Sequence, residues 1–187
     1  MTPALVLVDL QRGILARECQ PHTSQEVLQR AVALADKFRA AGALVVLVHV
    51  SFAQDRADAL KQSVDAQQPS GPLPPDWDIL DASLKPDSQH TVVVKKRNWG
   101  AFYGTDLDLQ LRRRGIDTIF LGGIATPYGV ESTARDAYER AYQIYFLEDA
   151  MTTMDANDHR HCIERIFPRL GHVIRTDEVQ TFLAQGG

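Results

Sequence analysis

Only two cysteines, Cys19 and Cys162, occur among the 187 residues, too few for the disulfide framework on which small secreted folds depend. No charge of one sign dominates: 20 Lys and Arg stand against 24 Asp and Glu, a net charge of −4. A nucleic-acid partner needs a concentrated basic stripe. The densest basic cluster, Arg112-Arg113-Arg114, falls instead at the end of a predicted helix, where it complements the dipole. Long apolar runs are also missing. The longest, Ala43 to Val48, is far below the roughly 20 residues of a membrane-spanning helix. The opening "MTPALVLVDLQ" has no basic stretch before its apolar run, so it reads as a strand and not as a signal peptide. Neither GxGxxG nor a P-loop is present, and no nucleotide cofactor is implied. These absences point to a cytoplasmic protein without a nucleic-acid or membrane partner.

What is present is a regular alternation. A chain of this length suits one domain with a full core better than two, so residues 1–187 read as a single domain. "ALVLVD" (4–9), "ALVVLVHV" (43–50), "TVVVKK" (91–96), "DTIFLGGI" (117–124), "YQIYFLED" (142–149) and "HVIR" (172–175) are predicted strands, several of them continuously apolar as in a sheet covered on both faces. Between the first two, Val27, Ala31, Leu34, Ala35 and Phe38 share one helical face, with Gly42 as the stop. Thr105 and Asp108 have capping-box-like spacing. Ile163, Ile166, Phe167 and Leu170 recur at i, i+3, i+4, i+7 in a fifth helix. The pattern predicts an α/β fold with a doubly wound, mainly parallel sheet.

Residues 51–90 break the alternation, with five prolines and weak periodicity. Such a stretch is a lid, a binding loop or a surface excursion, here with a short helix expected near Ala57–Val64. Trp77 either caps a pocket or anchors this loop to the body.

Three strand ends carry notable residues: Asp9 after the first, Lys95-Lys96 after the third, and "ATPYG" after the fourth. Singly, Asp9 reads as a turn former and the lysines as solvated. In a doubly wound sheet, however, ligands bind at the carboxyl ends of strands where the order reverses. Together these residues predict a small, charged, anion-friendly pocket.

"LVLVDLQRGI", the long segment "VKKRNWGAFYGTDLDLQLRRRGIDTIFLGGIATPYGVESTARDA" and "LEDA" resemble the isochorismatase-like (cysteine hydrolase) superfamily over nearly the whole chain. The resemblance implies a six-stranded, three-layer sandwich of strand order 3-2-1-4-5-6. It also implies a non-proline cis peptide before Ala125 and a homo-oligomer. It assigns the catalytic aspartate to Asp9 and the catalytic lysine to Lys96, not Lys95. The position of the nucleophilic cysteine falls on Gly129, which has no side chain. Ala125, Thr126, Tyr128, Phe102 and Gln11 complete the implied substrate-binding positions.

Without a thiolate at 129 the acyl-enzyme route of the family's amidases is closed. Ser132 and Thr133 sit past the first helical turn and read as structural. Thr126 is a substitute nucleophile with no histidine adjoining it in sequence. Vinyl-ether hydrolysis, as in the isochorismatases proper, needs no nucleophile: Asp9 would serve as general acid and Lys96 would hold a substrate carboxylate. A neighbouring lysine lowers a carboxyl pKa while burial raises it, so the balance at Asp9 matters. Two alternatives stay open: a non-catalytic small-acid binding protein, and hydrolysis of another ester or amide by Asp9-activated water. Some relatives carry an Asp-x-His…His metal set after strand 2. Here His49 has no second histidine near it, and His159 and His161, two apart, cannot share a helix face. No catalytic metal is expected.

Overall fold

A computed structural model of the chain describes residues 1–66 and 71–183. Six strands form one sheet: β1 (Pro3–Val8), β2 (Leu44–Val50), β3 (Thr91–Lys96), β4 (Thr118–Ile124), β5 (Gln143–Thr152) and β6 (His172–Ile174). Their order is β3-β2-β1-β4-β5-β6, and every pair is parallel. All carboxyl ends therefore emerge on one edge, and the order reverses beside β1.

The period-two alternation of strands divides the core into two layers. Ala4, Val6 and Val8 of β1 face one side with Val46, Val48, Val94, Ile119 and Leu121. Leu5 and Leu7 face the other with Val45, Leu47 and Phe120. That second side is covered by α2 (Ser24–Ala40), after the single turn α1 (Arg12–Leu15). Its stripe Val27, Ala31, Leu34, Ala35 and Phe38 is buried as the periodicity requires. Thr23 caps it through a reciprocal pair with Glu26, Thr23 Oγ1 accepting from Glu26 N at 3.2 Å and Glu26 Oε2 accepting from Thr23 N at 2.8 Å. The first side carries α3 (Leu107–Arg112), α4 (Glu131–Glu139) and, through Cys162 and Phe167, the segment that follows α5 (Ala156–His161). A last short helix, α6 (Val179–Leu183), returns to the α2 side.

Several local expectations are corrected. β5 runs on to Thr152 because Asp149 and Thr152 are buried with partners distant in sequence: Thr176 donates to Asp149, and Thr152 to the His22 carbonyl. The Thr105–Asp108 box does not form. Thr105 Oγ1 accepts from Leu107 N at 3.1 Å and donates to the Ala101 carbonyl, while Asp108 accepts from the Tyr142 hydroxyl. The fifth helix is broken: α5 passes into a π-type turn (Cys162–Ile166) and a 3-10 turn (Phe167–Arg169) containing Pro168. No helix forms at Ala57–Val64, which turns irregularly. Pro69, also in this excursion, lies outside the described residues. Trp77 anchors: it is half-buried, stacks on Phe52, and its carbonyl accepts from Gly13 N at 2.9 Å. Among the described residues no helix is long and apolar enough to cross a membrane.

Candidate active site

At the end of β1 the backbone of Asp9 turns into the left-handed region (φ 56°), while its N–H still donates to the Val48 carbonyl at 2.8 Å. This turn leaves the carboxyl at the edge of the sheet. β3 delivers the partner by alternation: Val94 and Lys96 point inward and Lys95 is exposed. Lys96 Nζ lies 2.8 Å from Asp9 Oδ2 and donates to the Trp99 carbonyl at 2.6 Å. Asp9 is 6% exposed and Lys96 2%. Asp9 Oδ1 is buried with no hydrogen-bond partner among the described residues. Nor do these supply an acceptor for the third Lys96 ammonium hydrogen.

Burial pushes the Asp9 carboxyl above the usual carboxylate range, outweighing Lys96, which pulls it down. The two influences compete on one group, and desolvation prevails.

The third wall comes from β4. A cis peptide joins Ile124 to Ala125. The π-type turn Thr126–Val130 follows and leads into α4. The Ala125 carbonyl accepts from both Tyr128 N and Val130 N, at 3.1 and 3.2 Å. A Cβ at Gly129 would lie 3.3 Å from Asp9 Oδ2, 3.3 Å from Lys96 Nζ and 3.0 Å from Val8 Cγ1. The bare Cα of Gly129 thus faces both members of the ion pair, and the three strand ends meet.

The remaining sequence-predicted positions divide. Tyr128 is 39% exposed and its ring meets that of Trp99, 59% exposed, edge-on at 5.1 Å. Ala125 is buried at the turn. Gln11 is a strut: its amide donates to the carbonyls of Val50 (2.9 Å) and Trp77 (3.2 Å) and accepts from Val50 N (2.8 Å). Phe102 is buried in the core, against Tyr142 and beneath Arg140. Thr126 has no exposed surface, and its hydroxyl lies 2.9 Å from His159 Nδ1. Thr133 is structural, donating to the Gly129 carbonyl at 2.6 Å and accepting from Ala101 N at 3.1 Å.

Neither cysteine joins the site. Cys162 is buried, donates to Glu131, and is pushed up to about 12 by burial and that carboxylate. Burial also raises Cys19. His49 Nδ1 lies 2.9 Å from the Asp78 carbonyl, which only accepts, so that nitrogen carries the hydrogen. Among the described residues no three of His, Cys, Asp and Glu group as metal ligands.

Two residues escaped sequence reasoning. Trp99 contributes through its carbonyl, which no residue type announces. His159 had a readable signal: the apolar stripe of Ile163 and Ile166, extended one turn back, lands on it, and a histidine on such a stripe needs a buried partner.

The isochorismatase domain model matches residues 3–178. The chain belongs to the isochorismatase family. It is 50% identical over 178 residues to the uncharacterized isochorismatase family protein YecD of Escherichia coli O157:H7, covering 95% of this chain and 94% of that one. Among solved structures, an isochorismatase family protein from Burkholderia thailandensis superposes with a TM-score of 0.93 at 43% identity, covering 98% and 96% of the two chains. The N-carbamoylsarcosine amidase from Thermoplasma acidophilum gives 0.75 at 28% identity, covering 95% and 98%. Members of the family are hydrolases, and the fold seen here is theirs.

Proposed function

We propose that this protein is an isochorismatase-like hydrolase of a small carboxylate-bearing molecule, working without a cysteine nucleophile by vinyl-ether hydrolysis. In this reading Gly129 stands where cysteine hydrolases of the family carry their thiol. The observation that carries it is the buried Asp9–Lys96 pair: Asp9 Oδ1 has no partner among the described residues, and burial holds the carboxyl above the ordinary range. A general acid needs that direction of shift. A substrate carboxylate on the free Lys96 hydrogen would weaken the ammonium's pull on Asp9 and raise its pKa further.

The reaction then runs as follows. Protonated Asp9 gives its proton to the terminal carbon of the vinyl ether. The resulting oxocarbenium ion takes up water, which loses a proton, with the Asp9 carboxylate available as acceptor. The hemiketal collapses to a keto acid and an alcohol. The space beside Gly129, free of any Cβ, accommodates the reacting carbon against the pair. The same reading treats residues 1–187 as one domain and the assembly as a homo-oligomer, which sedimentation velocity would test.

The decisive assay is pyruvate release from isochorismate, coupled to lactate dehydrogenase, in the native protein and in Asp9→Asn. Release that disappears in the variant supports the reading. No release from the native protein overturns it. Calorimetric binding of small carboxylic acids would then favour recognition without turnover, and turnover of activated esters would favour Asp9-activated water.

A further inference from the structure

Thr126 begins the turn that carries Gly129 to the ion pair, and among the described residues its hydroxyl has one partner, His159 Nδ1 at 2.9 Å. The two residues are 33 apart in sequence and come from different elements, the β4–α4 turn and α5. Both are buried. The His159 ring meets His22 edge-on, with centroids 6.1 Å apart. At its other end the turn is held by Thr133, whose hydroxyl takes the Gly129 carbonyl and accepts from Ala101 N in the loop after β3. The segment facing Asp9 and Lys96 is therefore pinned at both ends, near Gly129 by its own helix and at the start by a histidine from elsewhere.

We propose that His159 is a positioning residue for this site: through the Thr126 hydroxyl it fixes the turn that sets residue 129 against Asp9 and Lys96. The inference rests on the proposed reading of that cluster as the reaction centre. Burial lowers the His159 pKa to about 4, so the ring is neutral near pH 7. One ring nitrogen then donates and the other accepts, and a hydroxyl can satisfy Nδ1 in either role. The geometry also closes an alternative. Thr126 has the histidine that its sequence neighbourhood lacked, yet it has no exposed surface, so the pair holds the turn and does not present a nucleophile.

A substrate is not needed for the test. Gly129→Cys places a thiol where the Cβ would sit 3.3 Å from Lys96 Nζ and from Asp9 Oδ2, and the rate and pH profile of its alkylation by iodoacetamide report how residue 129 faces the pair. In that background His159→Gln and Thr126→Val are expected to slow labelling by about tenfold or more, because displacements of ~1 Å change reactivity strongly. His159→Asn, which returns a polar atom near the Nδ1 position, and Thr126→Ser are expected to restore it. Melting midpoints identify any variant that has lost its fold, and the two positions test the same bond independently. Fast labelling that neither His159→Gln nor Thr126→Val alters overturns the positioning role and leaves the site reading intact. A thiol at 129 that labels no faster than Cys19 and Cys162 in the Gly129→Cys protein overturns both.

Discussion

Asp9 and Lys96 are a buried ion pair, and such pairs are asymmetric: losing one partner strands the other in a poorly solvating place. Asp9→Asn keeps the shape and can still accept from Lys96, so its fold is expected to survive. Its turnover is expected to fall by about 10²–10⁴, the usual worth of a general acid; unchanged turnover would make Asp9 structural. Lys96→Met leaves burial unopposed at Asp9 and drives the carboxyl pKa further up. The loss accumulates as pH rises from the native Asp9 pKa to the variant's higher one, where the variant still holds a proton that the native protein has released, and it is complete above the latter. The variant's melting midpoint is therefore expected to fall below the native value progressively as pH rises, by up to about 3–5 kcal/mol of stability. Lys95→Met, on the exposed face, is expected to change neither stability nor small-acid affinity. Equal effects of the two lysine variants in calorimetry would remove the special role of Lys96.

At the scale of elements, what the sequence made legible follows from how locally each signal is written. The strands were readable because Val, Leu and Ile run continuously where a parallel sheet is covered on both sides. α2 was readable because its stripe and stop lie within one stretch. Asp9 and the Lys95-Lys96 pair were readable as polar residues ending apolar strands, and the family resemblance singled out Lys96. The extension of β5, the broken fifth helix and the Thr126–His159 bond were not, since each is set by partners distant in sequence or by a local break such as Pro168. Gly123 carries a constraint of the first kind. Its φ of 122° is open to glycine, and a Cβ there would lie 2.2 Å from the Val8 carbonyl oxygen. Gly123→Ala is expected to destabilise the protein by more than about 3 kcal/mol, read by chemical denaturation. A near-native midpoint would mean that β4 does not press this closely on β1.

For the whole molecule, buried ionisable groups set the pH range of stability. His159 has a folded pKa of about 4, below its unfolded value of about 6.5. Between these the unfolded chain binds the extra proton, so the His159 contribution is fully present above about 6.5 and is lost as pH falls toward 4, by up to about 3 kcal/mol. His159→Asn, which does not titrate, is expected to flatten this acid limb in melts taken at several pH values; an unchanged limb would assign it to other groups. The Gln11 strut has a different consequence, for isotope exchange. The chain leaves the sheet after Val50 and comes back past Leu10, where Asp81 N donates to the Leu10 carbonyl, Arg12 N to Ile79 and Gly13 N to Trp77, while the Gln11 side chain ties Val50 to Trp77. The Asp81 amide is thus latched to Leu10, next to Asp9, and the Arg12 and Gly13 amides to the returning chain at Ile79 and Trp77. They would exchange only when that latch opens, and a small acid bound at the ion pair would register as slowed deuterium uptake there, making the Asp81 amide, some seventy residues down the chain from Asp9, a reporter of occupancy.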